Sequence, residues 1–248
     1  MANTALLSIE DMHAGYPGKP EVLDGVSFSI QKGEVVGLAS LDDGGGKTTL
    51  VKSLAGLLPP TSGQVIFDGD DIYKMGYRAD QRFRARVSVV FEGGALMVNQ
   101  TIWDNIALPL RYHGDRRGRD LRVSVERLLA QCGYNEGLQA FPWQVSERSR
   151  RLAAFARALA RNPEFVIVDR FFQGLEMPDW RRLFELVMEL NQNDGVSWLL
   201  VSELDPGIFQ VAERVAILEH GKLLGLDFRK KLYANRRIRA AFEAAEMR

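Results

Sequence analysis

Leu41-Asp42-Asp43-Gly44-Gly45-Gly46-Lys47-Thr48-Thr49 is the stretch on which the reading of this chain turns. It follows a short apolar run at residues 35–39, suited to a buried strand. It precedes a stretch in which Leu50, Leu54 and Leu57 recur at helical spacing before Pro59-Pro60. Glycines at a strand-to-helix junction let backbone N–H groups converge on phosphate oxygens, and the dipole of the helix N-terminus adds to the attraction. Gly44, Gly45, Gly46 and Thr49 would line that cradle, Lys47 would reach the β- and γ-phosphates, and Thr48 would ligate Mg²⁺. The bland alternative is a glycine-rich turn with a surface lysine. Two features oppose a polyanion: Leu41 replaces the first glycine of G-x-x-x-x-G-K-[ST], and Asp42 and Asp43 repel phosphate unless they point to water.

Around this loop the chain has 248 residues, 46% hydrophobic and 26% charged, so it has the apolar content of a globular protein. Its 32 basic and 32 acidic side chains cancel, which gives no electrostatic reason to propose nucleic acid as a partner. Cys132 is the only cysteine, so no intrachain disulfide forms, and a reduced, cytoplasmic setting is expected. No apolar run approaches the ~20 residues of a membrane-spanning helix, and Met1-Ala2-Asn3-Thr4 opens no secretion signal.

Strand-like runs at residues 6–9, 26–30, 35–39 and 64–67 alternate with glycine turns. From about residue 93 to 160 the strands disappear, and residues 124–131 and 149–161 have helical spacing. Residues 165–168 and 197–201 then read as buried strands joined by a helix over 179–191, a pattern that implies a parallel sheet with crossover helices. Residues 215–218 followed by Gly221 suggest a hairpin. The expected fold class is α/β, a mostly parallel core sheet with an N-terminal antiparallel β region. The expected division is a core of residues 1–92 and 161–227, a helical insertion at 93–160 and a helical tail at 228–248. The tail carries Leu232, Ile238 and Phe242 as a docking or solvated helix, and the basic stretch 111–122 reads as a solvated loop.

With these motifs in place the chain resembles the ATP-binding cassette (ABC) ATPases over nearly its whole length. Tyr16 falls where that family stacks an aromatic ring on adenine, ahead of Leu23-Asp24-Gly25-Val26-Ser27-Phe28. Thr61-Ser62-Gly63-Gln64-Val65 and Asp68-Gly69-Asp70-Asp71-Ile72 match the strand and turn after the phosphate loop. Within the family, residues 87–96, Trp103-Asp104-Asn105-Ile106 and Pro109-Leu110 look most like the ATPase subunits of MCE-type lipid transporters, the maintenance-of-lipid-asymmetry group. The resemblance implies ATP and Mg²⁺ as ligands, bound weakly if at all. It implies a membrane permease and a second cassette subunit as partners, in a homodimer or heterodimer. It also implies a place on the cytoplasmic face of the inner membrane.

The resemblance also shows where the family pattern fails. Glu92 stands at the family's Mg²⁺-ligating glutamine, and with Thr48 and Asp169 it completes the expected metal set. Val145-Ser146-Glu147-Arg148 stands at Leu-Ser-Gly-Gly, leaving Ser146 as the remnant of the signature. Asp169 keeps the acidic end of the Walker B strand, but the glutamate base after it is Arg170, whose pKa above ~12 prevents it from accepting a proton from water. Glu176 replaces the aspartate of the dimer-contact loop, and Ser202-Glu203 replaces the Ser-His switch. With the loop glycine these are six departures, so no catalytic residue is intact and hydrolysis is expected to be absent or very slow. The exchanged charges suggest that Arg170 pairs with Glu203 or Glu92 in the space of a γ-phosphate. The leading expectation is a degenerate cassette subunit acting as scaffold or regulator of a lipid transporter. The alternatives are a slow ATPase using Glu92 or Glu203 as base, and a soluble adaptor without a transport role.

Overall fold

The computed structural model describes residues 5–42, 44–112, 118–173, 175–204 and 211–246. Strands β1 (Leu7–Tyr16), β2 (Lys19–Ile30), β4 (Ser62–Phe67) and β5 (Asp70–Asp71) form a four-stranded sheet in the order β2-β1-β4-β5, antiparallel throughout. A six-stranded sheet contains β3 (Val35–Ser40), β6 (Val87–Val90), β7 (Phe165–Asp169), β8 (Ser197–Val201), β9 (Arg214–Glu219) and β10 (Lys222–Asp227). Its order is β10-β9-β3-β8-β7-β6, with every neighbour parallel except the β10–β9 hairpin.

The sequence dictates this arrangement through period two. β3, β7 and β8 are buried at every position, which is why they read as continuous apolar runs rather than as alternation. Their alternate side chains feed two separate cores. Val36, Leu38, Ile167 and Leu199 pack toward the antiparallel sheet and helix α1 (Lys47–Leu54). Val35, Ala39, Val166, Trp198 and Leu200 pack toward the helices on the other face.

Those helices include α3 (Ile102–Tyr112), α4 (Gly118–Gln131) and α5 (Glu147–Leu159), which lie between β6 and β7 in the chain. α6 (Met177–Asp194) links β7 to β8 as the crossover expected from the sequence. Buried Asn105 on α3 ties down the preceding loop: its side chain accepts from the Met97 N–H (2.8 Å) and donates to the Thr101 carbonyl (2.9 Å).

Helix α2 (Tyr77–Arg86) escapes the sequence reading, because Phe83 is its one buried side chain and no apolar stripe marks it. Tertiary contacts hold it instead: Phe83 meets Phe67 edge-on at 5.3 Å, and Arg86 forks onto both oxygens of Glu164 at 2.8 Å. The tail forms α7 (Arg229–Leu232) and α8 (Arg236–Glu246). Of the two alternatives for it, docking holds, since Leu232, Ile238 and Phe242 are buried in the core and Phe242 stacks on Tyr233 at 5.4 Å. In the basic stretch, residues 113–117 lie outside the described residues. Its described residues are helical rather than a loop, 111–112 closing α3 and 118–122 opening α4, and Arg111 and Arg122 pair with Asp104 and Glu126 at 3.1 and 2.8 Å on the surface.

Cys132 is fully buried, and burial pushes its thiol from 9.0 up to about 12. Burial also pushes the Tyr73 and Tyr134 phenols from 10.0 to about 12. All three are neutral acids that keep their protons longer in the folded state than in the unfolded chain. Folding stability is therefore expected to fall as pH rises from about 9 toward 12. Urea midpoints at pH 8 and pH 10 check this, and iodoacetamide at pH 8 should label Cys132 only in step with unfolding. Rapid labelling of the folded chain would contradict the burial argument.

Candidate functional site

The site forms at the carboxyl ends of the parallel strands. β3 leads into the glycine loop, in which Gly44 and Gly46 take left-handed φ values of 82° and 93°. A Cβ on Gly46 would lie 2.5 Å from the Leu23 side chain, so only glycine lets the loop close against β2. α1 then starts at Lys47 with no side chain capping it, leaving its first N–H groups for a ligand. Tyr16, Gly44, Gly45, Gly46, Lys47, Thr48 and Thr49, the seven positions expected to bind nucleotide, all line one cleft of about 370 Å³, and Arg170 and Glu203 line it with them. The Tyr16 phenol is held below its ordinary pKa, first by a hydrogen bond from Thr49 and further by Lys52.

Asp42 does not face that cleft. Its carboxylate accepts from the His220 N–H at 3.2 Å and lies 3.2 Å from His220 Nδ1 in the β9–β10 turn, which lowers its expected repulsion of phosphate. Asp43 lies outside the described residues.

Four charged side chains follow the strand order. Lys47 (after β3), Glu203 (after β8), Arg170 (after β7) and Glu92 (after β6) sit beyond adjacent strands β3-β8-β7-β6, and their signs alternate. Lys47 is 7% exposed; its Nζ donates to Ser40 Oγ at 2.5 Å and lies 3.3 Å from Glu203 Oε2. Arg170 lies 3.6 Å from Glu203 Oε1 and donates to Glu92 Oε2 at 2.6 Å. Arg170 thus meets both of its expected partners. Its backbone takes a left-handed φ of 49°, rare for a residue with a side chain, while its N–H bonds the Val201 carbonyl.

Asp169, at the end of β7, is 4% exposed, and its Oδ1 has no hydrogen-bond partner. Burial is the main reason its carboxyl sits above the ordinary range; the cations of Arg170 and Lys47 oppose that rise. An orphaned buried carboxylate oxygen fits a cation shell. Thr48 offers an exposed hydroxyl on the cleft wall, whereas Glu92, the third expected ligand, is engaged by Arg170. Among the described residues no group of three His, Cys, Asp or Glu side chains could hold a metal alone. The donor set therefore fits Mg²⁺ brought in by phosphates better than a resident ion.

At the signature position Ser146 caps α5, accepting from the Ser149 N–H at 3.1 Å. Its hydroxyl donates to Glu136 at 2.9 Å, and Ser149 donates to the same oxygen at 2.5 Å. The Ser149 bond is the main force holding Glu136 below its ordinary pKa. Arg148 forks onto buried Asp179 through two 2.5 Å bonds, joining α5 to α6 beside Glu147 and Glu176. Glu136 and Asp179 were missed in the sequence, because they stand 10 and 31 residues from their partners and no spacing rule links them.

Comparison with known proteins places this geometry. The family model for ABC transporters matches residues 23–172. The chain belongs to this family.

Among curated relatives, the methionine import ATP-binding protein MetN of Mesorhizobium japonicum is 32% identical over 207 residues, covering 84% of this chain and 56% of that protein. MetN of Caulobacter vibrioides is 30% identical over 220 residues, covering 88% of this chain and 66% of that protein. The chain thus spans less than two thirds of the length of these relatives, which are named for methionine import rather than lipid transport. Solved structures agree on the cassette fold. A dimeric ATP-binding cassette in a post-hydrolysis state bound to ADP and Pi matches with a TM-score of 0.82 at 24% identity, over 90% of this chain and 98% of that one. An ATP-binding subunit of an ABC transporter matches with a TM-score of 0.82 at 23% identity, over 98% of both chains. As an ABC cassette the molecule has the expected fold class: a P-loop α/β core, an antiparallel N-terminal sheet and a helical region. Among the described residues no helix is long and apolar enough to cross a membrane.

Proposed function

We propose that this ABC chain is a nucleotide-responsive cassette subunit that docks on a membrane permease at the cytoplasmic face, pairs with a second cassette and does not drive transport by its own hydrolysis. The observation that carries the reading is Arg170, at the position of the catalytic base, clamped between Glu92 at 2.6 Å and Glu203 at 3.6 Å. A guanidinium holds no acceptor for the proton of an attacking water. The carboxylates beside it, Glu92 and Glu203, are engaged by that same guanidinium, which disfavours the slow-ATPase alternative. What remains is a binding cradle: Gly44, Gly45 and Gly46 with the α1 N-terminus for phosphates, Tyr16 for the base, and Thr48 with Asp169 beside Mg²⁺.

Lipid is the proposed cargo, on the likeness of residues 87–96 and 103–110 to MCE-type ATPase subunits. The methionine importers among the relatives favour a second reading, a small solute such as an amino acid. Purifying the tagged chain from its own membranes and sequencing the co-purifying proteins tests the proposal. Stoichiometric recovery of an integral-membrane permease is expected, and recovery from the soluble fraction alone would leave the adaptor alternative standing. Deleting the chain and comparing lipid distribution with methionine uptake separates the cargoes.

A further inference from the structure

The alternating row of charges does more than remove a base. Lys47 is the side chain through which a phosphate loop meets the outermost phosphates, and here a carboxylate of the chain itself already stands 3.3 Å from its Nζ. That carboxylate, Glu203, is also 3.6 Å from Arg170, whose other terminal nitrogen is held by Glu92. Lys47, Arg170, Glu203 and Glu92 add to no net charge, so this end of the cleft offers a third phosphate no surplus cation. The other end is different. The glycine loop and the uncapped first turn of α1 supply backbone N–H donors that no side chain claims, and they do not depend on Glu203.

We infer that the cleft takes a nucleoside diphosphate in preference to the triphosphate, with the Glu203 carboxylate standing where a γ-phosphate would meet Lys47. The inference rests on the proposed nucleotide-binding role and adds a selectivity to it. A diphosphate fills the N–H cradle and brings only its β-phosphate to Lys47, with no γ-phosphate to contend with Glu203. A triphosphate must displace Glu203 from Lys47 and hold its own added charge beside the freed carboxylate. Glu203 is half exposed and can swing toward water, so the preference is finite. At least a tenfold difference in Kd is expected, equivalent to about 1.4 kcal/mol.

Isothermal titration of the full chain with ADP and with ATP, both with Mg²⁺, measures the ratio directly. ADP is expected to bind at least tenfold more tightly. Glu203→Gln, which keeps the shape and removes the charge, should tighten ATP and bring the two Kd values within about threefold. Glu203→Asp, which keeps the charge, should retain a preference for ADP and so separates charge from altered packing. Equal or tighter binding of ATP by the unmodified chain would overturn the inference while leaving nucleotide binding intact. An ADP preference unchanged by Glu203→Gln would overturn the role given to Glu203. Absence of binding by either nucleotide, with the circular dichroism of a folded chain, would overturn both the inference and the nucleotide-responsive reading on which it rests.

Discussion

Purified chain supplied with MgATP is expected to release phosphate no faster than its own Lys47→Ala variant. Loss of a general base costs ~10²–10⁴-fold in rate, and here the position after Asp169 carries a guanidinium paired with both nearby carboxylates. On the proposed reading a second feature compounds the first. The Ser146 hydroxyl donates to Glu136 instead of standing free, and Glu147 and Arg148 stand where the family resemblance expects two signature glycines. Restoring the acid alone, with Arg170→Glu, should therefore recover little activity. It should also destabilise the chain by placing a fourth carboxylate among Glu92, Glu203 and the buried Asp169 and removing the cation that pairs with both glutamates, although Lys47 stays on Glu203. Arg170, Glu92 and Glu203 are more than a third exposed, so solvent screening keeps that cost modest. A phosphate-release assay decides the matter: turnover more than tenfold above Lys47→Ala would establish an active site built on another base.

Phe155→Ala is expected to cost about 3–5 kcal/mol, the usual range for emptying a fully buried aromatic site. Phe155 projects from α5 onto the core sheet, where it is completely buried. It stacks on Trp198 of β8 with centroids 6.3 Å apart and planes 9° from parallel, and it meets Phe171 at 5.5 Å and Phe172 at 6.3 Å. Arg151, one turn earlier on α5, lies over the Phe171 ring at 5.1 Å and donates to the Phe171 and Gln173 carbonyls. The cavity would therefore open at the joint between α5 and the segment that carries Asp169 and Arg170. For a chain of this size the loss corresponds to roughly 6–20 °C in melting temperature. Calorimetry provides the check, and a fall under about 3 °C would show that the joint repacks without the ring.

Most of the fold was legible because it is written in short periods. Alternation marked β1, continuous apolar runs marked β3, β7 and β8, and a 3.6-residue stripe marked α4, α5 and α6. α2 was illegible because Arg86 and Phe83 bind residues elsewhere in the chain rather than forming a stripe of their own. The cradle was legible too, since glycine loop, lysine and helix start are contiguous.

By itself the sequence determined the strand, glycine loop and helix of residues 35–54, which are properties of residue type and local spacing; the meaning expected for Arg170 and Glu203 came from the family resemblance instead. Only the tertiary structure decided that Asp42 turns away to His220, that Ser146 is spent on Glu136, and that Lys47, Glu203, Arg170 and Glu92 form one alternating row. Those contacts join residues as many as 178 positions apart. For the row, the strand order β3-β8-β7-β6 chooses the neighbours: parallel strands bring all their carboxyl ends to one edge, so sheet order rather than chain order sets which charges meet.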